Sequence, residues 1–346
     1  MTTTALIILG LFLCAFGGIV IYDLATAKRH KESYRAKSSI TAYLMLLPAV
    51  ALAFLFVLLP ILYSLGYAFT DYIVYYPDDI NIIFFDNFRD LFKELSQKGE
   101  IYNAIINTAT FVIGVVPLQI GMALLLALFV NRPGIGSKIF KVCFFAPVVI
   151  SLSVTSFLWQ QILAPGEEGL LNAMLIAFSD MVEFALRVFA IPTPEWLNFD
   201  WLPFDWLRDE RTAMPCIIVL SAWQGCGYQM LIFLSGLSNT RKDLYEAASL
   251  DGANHWHKFW NVTWVGLRST FVYILITVFI GACRIMTQPM LMVGYMPHTI
   301  TLSYYMYQRA MYGNHEIGYT SAVALLMTIF IGGVTLIQRR IFREEK

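Results

Sequence analysis

Two apolar runs of the sequence carry polar side chains that hydrocarbon would penalise. In the run at 214–237, Gly225 and Gly227 leave room beside hydroxyl, amide and aromatic side chains: Ser221, Trp223, Gln224, Tyr228 and Gln229. In the run at 271–293, Arg284 and Gln288 lie one helical turn apart. Amide and guanidinium groups donate to hydroxyls, and aromatic faces pack on the apolar face of a sugar ring. The pattern favours a path for a sugar, although interhelical hydrogen bonds are an equally good use of each residue.

Arg284 lies near the middle of the run at 271–293. An arginine at the centre of a bilayer costs on the order of 3 kcal/mol on the lenient insertion scale. Each interface would be roughly ten residues, about 15 Å, away, beyond the reach of the side chain. We therefore predict that Arg284 faces a polar path or neighbouring helices rather than lipid. Gln288 on the same helical face favours the path.

The motifs of ATP hydrolysis and metal catalysis are absent from the sequence. No lysine follows a glycine, which excludes a P-loop, and there is no HExxH pair. The five cysteines form no CxxC pair, and the five histidines are scattered. We therefore predict no catalytic residue, no metal and no cofactor in this chain.

The composition is that of a polytopic α-helical membrane protein. Of 346 residues, 58% are hydrophobic and 14% charged, and the formal net charge is zero, so nothing suggests nucleic acid. Apolar runs predict seven spans, at 5–22, 40–70, 103–130, 139–163, 214–237, 271–293 and 317–337. The first is an anchor, because its positive residues follow the apolar run. We predict an anchor and basic linker at 1–39 and a six-span domain at 40–346.

The distribution of charge predicts the orientation of these spans. Of 24 Lys and Arg residues, 16 belong to four segments predicted to be cytoplasmic and seven to three external loops. The positive-inside rule then places the N-terminus outside and the C-terminus inside.

The apolar run at 170–190 is predicted to lie on the outer interface instead of crossing the membrane. Four polar residues share one helical face opposite its apolar residues: Asn172, Asp180, Glu183 and Arg187. Glu183 and Arg187 are spaced as a pair one turn apart. Three tryptophans are predicted interfacial anchors: Trp196, Trp201 and Trp206.

A polar, aromatic-rich segment at 238–268 interrupts the apolar pattern. It predicts two short helices broken at Gly252, where a left-handed helix end suits glycine. Thr240 and Asp243 are spaced as a capping box for the first helix, and Asn254 can cap the second. The second helix would place four residues on one face that needs a cover: Trp256, Phe259, Trp260 and Thr263.

The residues Leu244-Tyr-Glu-Ala-Ala-Ser-Leu-Asp-Gly-Ala, followed by Trp256 and Phe259, resemble the EAA loop of bacterial ABC importer permeases. The resemblance is closest to the maltose-type family, which carries oligosaccharides, and it extends along the chain from Tyr43. It implies an all-α fold with a six-helix permease core, here with one extra N-terminal helix, in the bacterial cytoplasmic membrane.

The resemblance also implies partners and site residues. The loop would dock on a cytoplasmic ATPase through Tyr245, Glu246, Ala247, Ala248, Asp251, Gly252, Ala253, Trp256 and Phe259. Part of the substrate site would surround Ser221, Gly225, Tyr228 and Gly281. A second permease, two ATPase subunits that bind ATP and Mg, and an external binding protein would complete the transporter. This subunit itself would not be an enzyme.

Two other functions remain possible from the sequence. An ion-coupled secondary transporter would need intramembrane acids, and the predicted spans from residue 40 on contain no Asp or Glu. An intramembrane enzyme acting on lipid-linked sugars would need paired carboxylates or a nucleophile, which only the acidic external loops could supply. Arg284 is compatible with an acidic sugar and with a neutral one.

Overall fold

The computed structural model describes residues 17–18, 20–22, 33–76, 80–131, 134–189, 202–313 and 316–342. Within these ranges the chain is helical, with two isolated β-bridges and no β-strand, which confirms the predicted all-α class. The helices are α1 Ser33–Ala53, α2 Leu59–Tyr67, α3 Asp86–Ser96, α4 Glu100–Val130, α5 Ile135–Val149, α6 Leu152–Ile162, α7 Leu170–Val188, α8 Ala213–Asn239, α9 Lys242–Leu250, α10 His255–Lys258, α11 Trp264–Cys283, α12 Thr287–Met292, α13 Leu302–Met311 and α14 Ile317–Ile341. The π-helical turns Phe54–Leu58 and Phe259–Thr263 join α1 to α2 and α10 to α11.

Five continuous helical stretches are long and apolar enough to cross a membrane. They are Thr41–Tyr67, Glu100–Val130, Ala213–Asn239, His255–Cys283 and Ile317–Ile341. A sixth candidate consists of α5 and α6, which meet at a 98° bend. The six spans predicted from residue 40 on therefore each have a counterpart. Most of the predicted anchor at 5–22 and most of the basic linker lie outside the described residues; residues 17–18 and 20–22 of the anchor are helical.

The span predicted at 139–163 corresponds to a bent pair of helices, α5 and α6. Ile150 is extended, with ψ 135°, and Ser151 caps α6 by accepting from the Val154 N–H at 3.4 Å. This cap stabilises the bend, because Ser151 accepts a hydrogen bond from a backbone amide that has no partner within the helix.

The span predicted at 271–293 also ends early, at Cys283. Pro289 explains the break, since in a continuous helix its ring would clash with the Ile285 carbonyl and it has no N–H to donate. In the structure the Ile285 carbonyl accepts instead from Thr301 Oγ1 at 2.6 Å. Arg284 therefore follows the end of α11 and does not lie in mid-span. Gln288 belongs to the separate helix α12.

Helix α7 corresponds to the amphipathic helix predicted at 170–190. It is not among the candidate spans of the described chain, and its Arg187–Glu183 pair lies at 3.1 Å. Asn172 differs from the prediction, because it is fully buried and holds the Trp206 Nε1–H at 2.8 Å. Trp206 is thus half-buried and contacts α7 through this hydrogen bond. Trp196 and Trp201 lie outside the described residues.

The helices form two compact units, one of residues 1–90 and 313–326 and one of residues 91–312 and 327–346. In the first unit, the turn before Pro60 is a π-helical turn, in which the Leu59 N–H donates to the Phe54 carbonyl. Pro60 itself has no N–H to donate. In the second, α8 is the central helix and packs along α4, with α5 and α11 beside it. Phe233 and Leu267 are fully buried in that core.

The orientation of the spans stays a prediction that cysteine labelling can test. In a cysteine-free background, we expect a single cysteine at Asp205 to react with an impermeant maleimide added outside. A cysteine at Asn254 should react only after permeabilisation, because the charge distribution places the 238–268 segment inside. Labelling of Asn254 but not Asp205 in intact cells would contradict this topology.

Candidate functional site

The second compact unit contains a polar cavity of about 480 Å³ among α4, α8, α11, α12 and the α5–α6 bend. Six residues predicted for the substrate path line it: Ser221, Gln224, Gly225, Gly281, Arg284 and Gln288. The tertiary fold thus brings Arg284 and Gln288 together although they do not share a helix. Tyr228, also predicted, is not a lining residue and is 50% exposed, so its place in the path stays a prediction.

Gln229, named in the polar pattern of α8, also lines the cavity, and three further polar lining residues were not assigned to the path from the sequence: Gln119, Thr277 and Thr287. Gln119 and Gln229 are each 9% exposed. The sequence contained a signal for Gln119, because its amide lies inside a long apolar run, where hydrocarbon disfavours a polar group. Gln119 packs directly against Gly225, whose missing side chain leaves the space that the amide occupies.

Gln224 both lines the cavity and makes hydrogen bonds to neighbouring segments. Its Nε2 donates to the Ile150 carbonyl and to Thr155 Oγ1, both at 3.3 Å, and so holds the α5–α6 bend against α8. Its Oε1 is buried and has no hydrogen-bond partner in the described chain, and the same holds for Gln229 Oε1. Buried acceptors of this kind are normally met by water or a ligand hydroxyl.

The predicted coupling segment is broken at Gly252, as the sequence indicated, and the helix before the break, α9, is short. The helix after it is not the predicted short one, because α10 continues through the π-helical turn into α11, from His255 to Cys283. Gly252 has φ +76°. Its N–H donates to the Ser249 carbonyl, and the Ala253 N–H donates to the Ala248 carbonyl at 2.9 Å. These two bonds form the Schellman motif that ends a helix on a left-handed residue.

The caps of these helices are partly as predicted. Asn254 Oδ1 accepts from the His257 N–H at 2.9 Å, which confirms it as a cap. The capping box at Thr240 and Asp243 is wrong, because Thr240 Oγ1 donates to the Gly236 carbonyl and α9 begins after Arg241. The Asp243 carboxylate pairs with the Arg241 guanidinium, which lowers the pKa of Asp243.

Exposed apolar side chains lie on both sides of the break at Gly252. Trp256 is 67% exposed and Leu250 90% exposed, and the Trp256 ring contacts Phe259 and Trp260 with centroids 6.4 and 5.6 Å apart. Thr263 does not share this surface, because the π-helical turn buries it against Tyr245. The other predicted coupling residues, Glu246, Ala247, Ala248, Asp251 and Ala253, lie on or near the surface of the same segment.

A hydrogen bond of 3.0 Å between Tyr245 Oη and Thr263 Oγ1 ties α9 to the π-helical turn. We expect Tyr245→Phe and Thr263→Val each to raise amide hydrogen exchange in α9 by roughly two- to tenfold, since one such bond contributes about 0.5–1.5 kcal/mol. The double variant should add little to the larger single effect. Ser249→Ala, which removes the exposed contact from Lys258 Nζ, is the control with a smaller expected effect. Additive effects would contradict a direct Tyr245–Thr263 bond.

A cavity with polar side chains in its lining, among apolar helices of membrane length, is an arrangement that suits a membrane transport subunit. Residues 119–344 match the family described as binding-protein-dependent transport system inner membrane component. The chain belongs to this family and is a multi-pass bacterial inner-membrane permease rather than an enzyme.

Curated relatives and a solved structure resemble the chain over most of its length. The probable ABC transporter permease protein YesP of Bacillus subtilis (strain 168) is 30% identical, covering 90% of this chain and 93% of that protein. The arabinooligosaccharides transport system permease protein AraP of the same strain is 29% identical, covering 86% and 87%. A crystal structure of a bacterial alginate ABC transporter in complex with alginate pentasaccharide-bound periplasmic protein contains a chain with TM-score 0.69 and 22% identity. The match covers 90% of this chain and 98% of that one. That likeness supports the fold.

Proposed function

We propose that this chain is the permease subunit of an ATP-driven importer of oligosaccharides and forms half of the translocation path. The cavity is the observation that carries the proposal. Its lining combines amides and hydroxyls with one guanidinium, inside helices apolar enough to lie in a membrane. This donor and acceptor set suits the hydroxyl rim of a sugar. The name of AraP, an arabinooligosaccharide permease, is consistent with that substrate class.

The proposed partners are a second permease, two cytoplasmic ATPase subunits that bind ATP and Mg, and an external binding protein. The exposed Trp256 and Leu250 support a docking partner at the coupling segment, since apolar side chains clustered on a surface mark interaction sites. The family description itself names dependence on a binding protein.

The alternatives fit the cavity less well. Its lining includes no Asp or Glu, whereas an ion-coupled transporter needs an acid to carry the coupling charge. An enzyme acting on lipid-linked sugars would need a nucleophile with a base beside it. Ser221 lines the cavity, but its hydroxyl donates to the Ile217 carbonyl at 2.7 Å and no histidine or acid lines the cavity with it.

The experiment is purification of the tagged chain from its native membrane with its bound subunits, followed by reconstitution into proteoliposomes. Uptake of labelled oligosaccharide should require ATP and the binding protein and should be insensitive to a protonophore. Uptake that proceeds without ATP and collapses with the protonophore would establish ion coupling instead. Chemical alteration of the sugar on uptake would establish an enzyme.

The docking surface has its own test. Trp256→Ala should reduce the ATPase retained during purification by about five- to tenfold, because a central aromatic contributes strongly to an interface. Phe184→Ala is the matched control, since Phe184 on α7 is 69% exposed but belongs to another surface. Equal retention in the two variants would place the ATPase elsewhere.

A further inference from the structure

The charge of the cavity points to the charge of its substrate. Arg284 is the only ionisable residue among those lining the cavity, and its side chain is exposed. In the described part of the chain its guanidinium has no ion-pair partner. The cavity therefore has one positive charge that the described residues do not neutralise.

Local structure compensates only part of this charge. Arg284 follows the C-terminal end of α11, where the helix dipole favours a cation. This dipole interaction is small compared with a direct hydrogen bond between the guanidinium and a carboxylate. Such a charged hydrogen bond is shorter than a neutral one and about twice as strong. The exposed Arg284 guanidinium can form such hydrogen bonds with a bound carboxylate, in the bidentate geometry that arginine favours.

The other unmet groups in the lining are acceptors. The Oε1 atoms of Gln224 and Gln229 are buried without a hydrogen-bond partner in the described chain. The Gln224 amide cannot simply turn round, because its Nε2 is held by Ile150 and Thr155 at the bend. Both Oε1 atoms are closed off from the cavity, so the lining group that a ligand can reach is the Arg284 guanidinium, which calls for an anionic acceptor.

We infer that the substrate is an acidic oligosaccharide and that Arg284 binds a uronate carboxylate of it. This inference rests on the proposed sugar-permease function and adds the substrate's charge. A sugar phosphate shares the chemistry of a polyhydroxylated anion. Among its described lining residues this chain contributes one guanidinium and no second cation. One positive charge matches a carboxylate monoanion better than a phosphate, which carries close to two charges.

The test is direct binding to the purified transporter complex without the binding protein, so that the permease's own preference is measured. The probes are a uronate disaccharide, its carboxyl-reduced neutral analogue and a phosphorylated disaccharide. We expect the uronate to bind at least tenfold more tightly than the neutral analogue, a difference of about 1.4 kcal/mol. Arg284→Gln should remove that difference, because the uronate loses at least tenfold more affinity than the neutral analogue. Gln288→Leu, a control within the same cavity, should weaken both sugars by similar factors.

The outcomes separate this inference from the function beneath it. Equal binding of uronate and neutral sugar overturns the acidic substrate but leaves a sugar permease. A uronate preference that survives in Arg284→Gln overturns the role of Arg284. Tightest binding of the phosphorylated sugar overturns the carboxylate. Binding of none of the probes, together with no ATP-dependent sugar uptake, overturns the proposed function as well. If Arg284→Gln does not assemble, the comparison of the three probes on the unaltered complex still decides.

Discussion

Replacing Gly252 by valine is expected to uncouple transport while leaving membrane insertion intact. Gly252 has φ +76°, a conformation that costs an ordinary L-residue about 1–2 kcal/mol and a β-branched one more. At ~2 kcal/mol the native turn between α9 and α10 would be disfavoured roughly thirtyfold. We expect ATP-dependent uptake and binding-protein-stimulated ATP hydrolysis to fall by about that factor, as measured in proteoliposomes.

The cause of this loss can be isolated within the chain, because no described atom beyond the neighbouring residues lies within 4 Å of the position where a Cβ would stand at Gly252. An effect inside this chain is therefore conformational and not a clash. Gly252→Asn is the matched control, since asparagine tolerates the left-handed region better than other non-glycine residues. It should retain most of the uptake. Full activity of Gly252→Val, or equal loss in both variants, would contradict a role for the turn.

Gly227 and Gly225 lie two residues apart on α8, and alanine at the two positions should have different consequences. A Cβ at Gly227 would overlap with the backbone carbonyl of Phe144 on α5, which cannot move without separating two helices. A Cβ at Gly225 would overlap only with the Gln119 amide, the end of a flexible side chain. Overpacking costs about 1–3 kcal/mol when the surroundings cannot adjust.

We therefore expect Gly227→Ala to lower the yield and thermal stability of the assembled protein severalfold in detergent. Gly225→Ala should assemble at nearly normal yield but bind sugar more weakly, because the displaced Gln119 amide enters the cavity. Yield after gel filtration and sugar binding are the two measurements. A greater loss of assembly in Gly225→Ala than in Gly227→Ala would show that the α5–α8 crossing is not where the structure places it.

The features that the sequence predicted correctly are local ones. The spans from residue 40 on follow from apolar composition over 18 or more residues, a property that each helix carries by itself. The break at Gly252, the Asn254 cap and the Glu183–Arg187 pair depend on residues at most four positions apart. Short-range geometry of this kind is contained in residue type and spacing.

Two differences from prediction concern where helices stop. Hydropathy predicted continuous runs at 139–163 and 271–293 because each run as a whole is apolar enough to cross a membrane. The carbonyls near these breaks are satisfied by distant side chains, Ile150 by Gln224 and Ile285 by Thr301. Gln160 likewise donates to the carbonyls of Leu291 and Met292 at the end of α12.

The sequence alone therefore determined the class of protein, the number of spans from residue 40 on and the residues of the coupling turn. Only the tertiary structure decided the lining of the cavity. Arg284 reaches the cavity from the end of α11, Gln288 from α12 and Gln119 from α4. A continuous span would have joined α11 to α12. The physical reason is that a buried polar group is stabilised only by its partners, and here those partners come from parts of the chain far apart in sequence.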